Sequence, residues 1–409
     1  NNMKIDRISL KMEVKNLKID QHIFEKVLRR QVADDTVKIL EISKQCLSEK
    51  GLNFLSDLFV ATIKYTVTSK NEKSKSKRST DVIIKMEPMS EFSRYLVRKQ
   101  DLFISELIVL RDVVPKIKKL VGRSIGPQLW YCSANPKVLI MENLITRKFL
   151  IKDRQKGLSL EHCVRVIELL AKFHAGSVAV REKDPKLIES FKDGGIVSTK
   201  CPKAFFRLME VSLLRIANEI QTWSDEKCAR AAPKLINLAK TIGTQCVKVY
   251  EYDSNDFCVL NHGDCWINNI MFRENEKAQP EDVKNVESID LLYFFNICPE
   301  FDIKYDKDDY FLEVYLKKLN ETMEYIGCKE KPLTMQRLKE ALHKRRVYAV
   351  FSGIVLYLRM MANTDDTEDF TEVLQKLSGE TKMNVFKNPD AVKLAHKMIP
   401  VMEERGYLD

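Results

Sequence analysis

The nine residues His262–Ile270, with the sequence HGDCWINNI, combine side chains that could carry out chemistry. Asp264 supplies a carboxylate, and Asn269 supplies a carboxamide five positions later. Apolar runs at 257–260 and 270–272 flank them, which predicts a strand, a short loop and a second strand. Phosphoryl transfer depends on positioned phosphates, a cation and a base near the acceptor hydroxyl. A general base and a metal ligand on such a loop would suit that reaction.

Two charged residues upstream could act on the donor phosphates. Lys85 ends the apolar strand at 82–85, where its ammonium group could reach an α- or β-phosphate. Glu106 follows on a predicted helix and could pair with Lys85. Either residue alone would be an ordinary surface charge. Their order and spacing favour a phosphate-binding lysine oriented by an acid.

Two further segments are candidates for contacts with a nucleotide. Gly51–Ser56 could be a turn that covers it, with Asn53 as a polar contact, although its single glycine fits no GxGxxG or Walker-type pattern. A simple turn is the alternative for this segment. Ile140–Leu144 would be a hinge, at which Glu142 and Leu144 offer backbone groups to an adenine.

The histidines do not indicate a zinc site or a nucleophilic triad, because the chain's six histidines are widely separated. His174 falls on the apolar face of a predicted helix and is interpreted as a buried, hydrogen-bonded side chain. His262 is expected to orient the loop at 262–270 by hydrogen bonds rather than to transfer protons.

The elements that must position these residues change character near Glu142–Leu144. Before that point the pattern predicts a helix from Ile23, a helical stretch at 92–117, and strands at 37–42, 58–67, 82–85, 129–131 and 138–141. After it the pattern predicts long helices. Ser159 caps the first of them, and the others lie near 202–221, 231–250, 309–327, 335–363 and 389–405.

This change of pattern predicts two lobes. We expect an N-terminal extension at 1–22, a strand-rich N-lobe at 23–143, and a helical C-lobe at 144–409 that carries the loop and an acceptor pocket. A chain of 409 residues is long enough for two such lobes around a cleft. No Pro/Gly linker separates them, so close coupling is expected.

The composition, with 44% hydrophobic and 31% charged residues, is that of an ordinary soluble globular protein. The net charge of +10 is mild for this length and does not require a nucleic-acid partner. The basic run at 70–78 is expected to be a solvated hairpin loop, and a membrane or nucleic-acid contact is the alternative.

The cysteines and the lack of long apolar runs indicate a compartment. Ten cysteines are scattered without a CxxC pair, and no signal peptide is recognised, which favours reduced thiols in the cytosol. No stretch of 18 apolar residues exists, so no membrane span is expected. The sequence predicts a soluble, cytoplasmic monomer that acts on a small molecule.

Several motifs together carry a family resemblance. The loop has the pattern HGDxWxxN and is followed by Ile270–Phe272. The other motifs are Gly51–Ser56, Ile83–Pro88, Phe103–Glu106 leading to Val114–Lys116, Leu139–Leu144, Gly157–His162, Leu170–Ala175 and Glu404–Leu408. Spread over nearly the whole chain, they resemble those of the ecdysteroid kinase-like (CHK kinase-like) proteins of insects. That family lies in the superfamily of aminoglycoside phosphotransferases and choline kinases.

The resemblance implies an α+β, protein-kinase-like two-lobe fold with a small antiparallel-sheet N-lobe and a larger, mostly helical C-lobe. It implies ATP and Mg²⁺ as cofactors, with Lys85 on the ATP phosphates and Glu106 as its partner. Asp264 would be the base, and Asn269 a magnesium ligand. Trp266 would shape the acceptor end of the loop. The implied reaction is phosphorylation of a hydroxyl on an ecdysteroid or another hydroxylated hydrophobic compound.

The sequence departs from the family just after the loop. The family continues with a strand that ends in a metal-binding Asp-Phe-Gln triplet, and a further loop then leads to an Asp-Leu-Leu-Tyr-Phe helix start. Here the strand runs almost directly into the helix, and the triplet and its loop are missing. Glu287 falls where the metal-binding aspartate would be and could bind magnesium despite its extra methylene. Asp290 matches a later, structural aspartate.

Three explanations of this departure stay open. The protein could be an inactive pseudokinase that binds nucleotide or a hydrophobic ligand, a short exon segment could be missing from the sequence, or Glu287 could replace the aspartate. Loss of a metal carboxylate removes charge stabilisation from the transferring phosphoryl group. We therefore predict an ATP-dependent small-molecule kinase of impaired activity, with the inactive binding protein as the alternative. A protein kinase fits less well, because the loop is not HRDxxxxN and no APE-like segment is present.

Overall fold

The computed structural model contains two compact units. It describes residues 20–47, 55–68, 75–191, 197–253, 255–261, 263, 265–285, 291–362, 366, 368, 372–373, 376 and 384–409. The first unit comprises Asn1–Val97 and Pro127–Lys148, and the second comprises Arg98–Gly126 and Phe149–Asp409. The predicted lobes divide the chain differently at Arg98–Gly126, and their boundaries stay a prediction.

The first unit contains a five-stranded antiparallel sheet in the order β1-β2-β3-β5-β4. Each strand predicted in this part of the sequence is present. The sheet follows helix α1 (Gln21–Val32). Its strands are β1 (Lys38–Cys46), β2 (Asp57–Thr68), β3 (Lys75–Met86), β4 (Leu129–Ala134) and β5 (Lys137–Glu142).

The core of the first unit lies on one face of this sheet, because strand residues alternate between the two faces. Phe59, Ile84 and Ile140 are neighbours across β2, β3 and β5, and all three are fully buried. Phe24 and Leu28 of α1 belong to the same cluster. Helix α1 therefore covers the core face of the sheet, which leaves the alternate residues of each strand on the other face.

The helical stretch predicted at 92–117 is present as α2 (Glu91–Lys99), α3 (Leu102–Ile108) and α4 (Val114–Val121). A π-helical turn, Val109–Val113, joins α3 to α4. Helix α4 packs on α5 (Leu160–Lys183) so closely that a Cβ on Gly176 would lie 2.5 Å from Cγ2 of Ile117. This packing explains why Arg98–Gly126 groups with the helices of the second unit.

The second unit is mostly helical. The apolar stripe predicted for α5 is buried along its length, and the helices predicted near 202–221, 309–327 and 389–405 are confirmed. The segments at 231–250 and 335–363 each contain more than one helix. The remaining helices are α6 (Pro185–Glu189), α7 (Lys203–Ile220), α8 (Glu226–Ala239), α9 (Ile242–Lys248), α10 (Leu291–Ile297), α11 (Asp308–Ile326), α12 (Met335–Lys344), α13 (Val347–Val350), α14 (Leu358–Met361) and α15 (Pro389–Glu404).

A three-stranded antiparallel sheet, in the order β6-β7-β8, also belongs to the second unit. Its strands are β6 (Leu150–Ile151), β7 (Ile270–Glu274) and β8 (Pro280–Asn285). Strand β7 is the strand predicted after the loop at 262–270. The strand predicted before the loop, at 257–260, is wrong. Side chains of α5 bond to Cys258 and Leu260 there, so these backbone groups have partners without a strand ladder.

The basic run at 70–78 also differs from its prediction where the structure describes it. Residues 70–74 lie outside the described residues, but Lys75–Arg78 form the start of β3 and pair with Tyr65–Thr68. The predicted loop is therefore wrong from Lys75 onward, because the β2–β3 ladder continues through this exposed stretch.

The α+β class, with a small antiparallel sheet and a larger helical part, is confirmed. This arrangement is compatible with a kinase-like two-lobe fold. Within the described ranges, every helix is too short or too polar to cross a membrane.

Candidate active site

The loop at 262–270 ends in a short 3₁₀ helix, Ile267–Asn269, that leads directly into β7. The backbone N–H of Asn269 donates to the carbonyl of Trp266 at 2.9 Å. Gly263 has φ +97°, a conformation that glycine adopts without strain. The predicted base, Asp264, and His262 lie outside the described residues. The structure thus defines the end of the loop that carries Asn269.

The segment before the loop is held by α5. The N–H of Leu260 donates to Oγ of Ser177 at 2.9 Å, and Nη1 of Arg181 donates to the carbonyl of Cys258 at 2.7 Å. Ser177 is fully buried, so this hydrogen bond is shielded from water. Sequence reasoning missed both residues. The signal was present, because Ser177 and Arg181 extend the face of His174 at helical spacing.

A second contact holds the loop itself, at Cys265. Sγ of Cys298, which directly follows α10, donates to the carbonyl of Cys265 at 3.2 Å, and both cysteines are fully buried. The chain after α10 also bonds to the segment before α5, where the N–H of Leu158 donates to the carbonyl of Cys298 at 2.8 Å. The described flanks of the loop are therefore fixed from two directions by buried groups.

Asn269 directly precedes the first strand of the β7–β8 hairpin. Ile270, the next residue, pairs with Asn285, the last residue of β8. Only five residues, 286–290, separate β8 from α10. They include Glu287 and Asp290, which lie outside the described residues. Helix α10 is buried at every position, so the short connection joins two well-packed elements.

A cluster that the sequence reasoning did not single out ties this hairpin to the start of α5. Nε2 of His162 lies 2.6 Å from Oε1 of Glu274, and its Nδ1 lies 2.8 Å from Oγ of Ser159. Burial would raise the pKa of Glu274, but hydrogen bonds from Lys152 and His162 outweigh it and hold that pKa below its ordinary value. The helix begins after Ser159 as predicted, but the hydroxyl binds His162 instead of capping the helix backbone.

His174 is buried and hydrogen-bonded, as predicted. Its Nδ1 lies 2.7 Å from the hydroxyl of Tyr315 on α11, and the residue is 2% exposed. The ring also contacts Tyr315 edge-on, with centroids 5.7 Å apart. His174 therefore links α5 to α11 and serves packing.

Lys85 lies on the face of the first sheet opposite to its core. Its neighbour Ile84 points into the core, and Lys85 alternates to the other face, between Leu58 of β2 and Leu139 of β5. Its side chain is partly buried. The lysine thus projects away from the hydrophobic cluster that α1 covers.

The predicted hinge at 140–144 uses much of its polar capacity on itself. The carboxylate of Glu142 accepts from the N–H of Gln128 at 2.7 Å and from Arg147 at 3.2 Å, and its own N–H donates to the carbonyl of Gln128. Asn143 caps a 3₁₀ helix, Leu144–Arg147, by accepting from Ile145. The first N–H of a helix has no partner within that helix. Leu144 therefore suits a backbone contact better than Glu142 does.

Glu106 lies on α3, three residues before the π-helical turn at Val109. Its carbonyl accepts from the N–H of Val109, and its side chain is partly buried. Lys85 belongs to the first unit, and Glu106 and Asn269 belong to the second. The pairing of Lys85 with Glu106 stays a prediction. Asn53 lies outside the described residues.

A comparison with protein families identifies the chain. The model of the ecdysteroid kinase-like family matches residues 50–328, more than half of the sequence. The chain belongs to the ecdysteroid kinase-like family. Neither a search of curated proteins nor a search of solved structures found a match.

Membership gives this ecdysteroid kinase-like protein a kinase-like, phosphotransferase character. The matched range runs from before Lys85 to beyond the β7–β8 hairpin and α10. It therefore includes the loop at 262–270, the flanks that α5 and Cys298 hold, and the five-residue connection after β8. The described part of the site is the scaffold of the loop, with Asn269 at its end.

Proposed function

We propose that this protein is an ATP- and Mg²⁺-dependent kinase that phosphorylates a hydroxyl of an ecdysteroid or another hydroxylated hydrophobic molecule. The observation that carries the proposal is the loop at 262–270, which lies inside the family match and whose flanks are hydrogen-bonded to buried groups. In the reaction, the bond between the γ-phosphorus and its bridging oxygen breaks, and a bond to the acceptor oxygen forms. The products are ADP and a phosphate ester.

Each candidate residue has a role in this proposal. Asp264 accepts the proton of the acceptor hydroxyl as general base. Asn269 and Glu287 bind Mg²⁺. Lys85 contacts the ATP phosphates, and Glu106 orients it.

Three further residues would contribute to nucleotide binding, two by direct contact and one by holding the hinge. The N–H of Leu144 would bond to the adenine, since Glu142 is already engaged with Gln128 and Arg147. Glu142 would then contribute by fixing the hinge. Asn53 would contribute a polar contact from the turn at 51–56.

The donor chemistry of the chain fits Mg²⁺, which prefers carboxylate and amide oxygens. Asn269 precedes Ile270, which pairs with Asn285, and Glu287 follows Asn285 by two positions in the sequence. In this proposal the carboxamide of Asn269 and the carboxylate of Glu287 would bind the same ion. When bound, the ion neutralises charge on the phosphates.

A catalytically inactive binding protein is the second candidate. The observation that favours it is the five-residue connection between β8 and α10, which leaves no room for an Asp-Phe-Gln triplet and its loop. Such a protein would bind nucleotide or a hydrophobic ligand without transferring phosphate. Sequencing the transcript across 286–290 would separate a true deletion from a missing exon segment.

Turnover assays test the proposal against this alternative. The purified protein, with Mg²⁺ and ATP, is given 20-hydroxyecdysone and a panel of hydroxylated compounds, and phosphorylated products are detected by mass spectrometry. The kinase predicts a product that requires Mg²⁺. ATP binding without any product would refute the kinase and support the inactive protein.

A matched pair of variants tests the metal role of Glu287. Glu287→Gln removes the proposed ligand, and Glu281→Gln removes an exposed carboxylate of β8, six positions earlier in the sequence. We expect Glu287→Gln to raise the Mg²⁺ concentration that gives half-maximal turnover by at least tenfold. Glu281→Gln should leave that concentration unchanged. Equal Mg²⁺ dependence in both variants would remove Glu287 from the site.

The remaining features agree with this proposal as supporting observations. All ten cysteines fall within the described residues and none of them forms a disulfide, as suits a reducing cytoplasm. A mild net charge suits a small-molecule substrate rather than nucleic acid. We propose a cytoplasmic monomer whose acceptor is held by the helical unit.

A further inference from the structure

A mixed cluster of metal-ligating side chains lies where α8 meets the C-terminal helix α15. Asp225 immediately precedes α8, Cys228 lies in its first turn, and His396 lies on α15. One ligand atom from each of the three lies within 4.8 Å of the other two. The residues are 168 or more positions apart across the two helices, so the fold brings them together.

The distances within the cluster are close to those of a coordination sphere. Sγ of Cys228 lies 3.8 Å from Nδ1 of His396. With a Zn–S bond of about 2.3 Å and a Zn–N bond of about 2.0 Å, a tetrahedral ion would separate sulfur and nitrogen by roughly 3.5 Å. Oδ2 of Asp225 lies 2.6 Å from the same nitrogen, which is a hydrogen bond. An ion replacing that proton would push oxygen and nitrogen apart by somewhat under 1 Å.

The surroundings support binding from one open side. Oδ1 of Asp225 accepts from the N–H of Lys227 at 2.9 Å and from the N–H of Cys228 at 3.4 Å, which fixes the carboxylate and leaves Oδ2 directed at His396. Cys228 is fully buried, whereas His396 is exposed on its outer side. Water could therefore supply the fourth ligand.

We propose that Asp225, Cys228 and His396 form a Zn²⁺-binding site, separate from the kinase-like site, that clamps α8 to α15. A thiolate, an imidazole and a carboxylate are the ligand types that Zn²⁺ takes in proteins. On binding, the thiol proton of Cys228 and the proton shared by Nδ1 of His396 and Oδ2 of Asp225 pass to solvent. His396 then binds through Nδ1 as a neutral ring with its proton on Nε2. The ion adds to a contact that Arg230 and Glu403 already make between the same helices, at 2.9 Å.

Cobalt is a suitable probe because it occupies zinc sites and absorbs light. The full-length protein, freed of metal with a chelator, is titrated with Co²⁺ alone. We expect one equivalent to produce thiolate-to-cobalt charge transfer and the intense visible bands of a tetrahedral ion, and Zn²⁺ to abolish both by displacement. Trp223, whose ring lies 4.5 Å from that of His396, should lose fluorescence on Co²⁺ binding.

Matched variants decide whether the signal comes from this cluster. His396→Gln alters an exposed side chain and should remove the bands without unfolding the protein, and Cys228→Ala should remove the charge-transfer band. Cys246→Ala removes an equally buried thiol on α9 and His22→Gln an exposed imidazole on α1, and both should keep the full signal.

The thermal midpoint gives an independent readout. One equivalent of Zn²⁺ should raise it in the wild type and in Cys246→Ala but leave it unchanged in His396→Gln. Absence of saturable Co²⁺ binding, or bands that persist in His396→Gln, would overturn the proposal. The cluster would then be an Asp–His ion pair at the start of α8.

Discussion

Replacement of Lys304 by methionine should change how the stability of the helical unit depends on pH. Lys304 is 1% exposed, its ammonium group donates to the carbonyl of Asn296 at 2.8 Å, and it lies 4.8 Å from the ring centre of Tyr357. Burial lowers the pKa of Lys304 from 10.5 to about 8. Keeping the lysine charged in the folded protein therefore costs about 3 kcal/mol, at 1.36 kcal/mol for each unit of pKa.

The sign of the pH dependence follows from proton binding. Between pH 8 and 10.5 the unfolded chain holds a proton on Lys304 that the folded protein releases, so this lysine makes stability rise with pH. Its contribution is complete above the unfolded pKa and is lost as the pH falls through about 8. Relative to Lys304→Met, the wild type should gain about 2.5 kcal/mol of unfolding free energy between pH 7 and pH 10.

Urea denaturation followed by circular dichroism at pH 7 and pH 10 measures this difference. At pH 7 the variant should be at least as stable as the wild type, because a buried charge is removed at the loss of one hydrogen bond worth about 1 kcal/mol. Lys393→Met, at an exposed lysine of α15, is the control for removing a lysine from the surface. An equal change in unfolding free energy between pH 7 and pH 10 for Lys304→Met and the wild type would show that burial does not lower the pKa of Lys304.

Two further predictions concern the packing around the candidate site. Gly157→Ala should lower the free energy of unfolding by about 3 kcal/mol or more, because its Cβ would lie 2.6 Å from backbone atoms. Gly122→Ala, which is also at positive φ but in open space, should lower it by about 1 kcal/mol. Similar decreases in the urea midpoint for the two glycine variants would contradict this expectation. Ser177→Ala should lower the free energy of unfolding by about 1–3 kcal/mol and reduce turnover, since it leaves the N–H of Leu260 without its acceptor. Ser212→Ala should leave stability nearly unchanged, because the buried hydroxyl of Ser212 has no partner among the described residues. Equal stability losses in the two serine variants would exclude an anchoring role.

The strands and helices with strong periodic patterns could be predicted from the sequence. The alternation in β2 and β3 and the stripe on α5 follow directly from burial of one face, so local pattern and tertiary structure agree. The strand predicted at 257–260 is wrong for a physical reason. Its apolar residues resemble a strand, but Ser177 and Arg181 from a distant helix bond to its backbone.

The loop of the candidate site could be located from its motif, whereas the residues that hold it could not. The motif at 262–270 identified the loop, and the strand predicted after it begins directly after Asn269. The contacts that hold the loop come from residues that carry no motif. The hydrogen bond from Cys298 to Cys265 joins positions 33 apart, and such a pairing depends on the packing of α10, which no local pattern encodes.

Phosphate transfer by the wild type and by Asp264→Asn under identical conditions, with ATP binding measured on both, tests most directly whether this protein is a kinase with Asp264 as its base. We expect an Mg²⁺-dependent phosphorylated product from the wild type and a loss of at least a hundredfold in the transfer rate of Asp264→Asn, with ATP affinity and thermal midpoint unchanged. Equal rates in the two proteins would contradict the role of Asp264, and absence of product from a wild type that binds ATP would contradict the kinase itself.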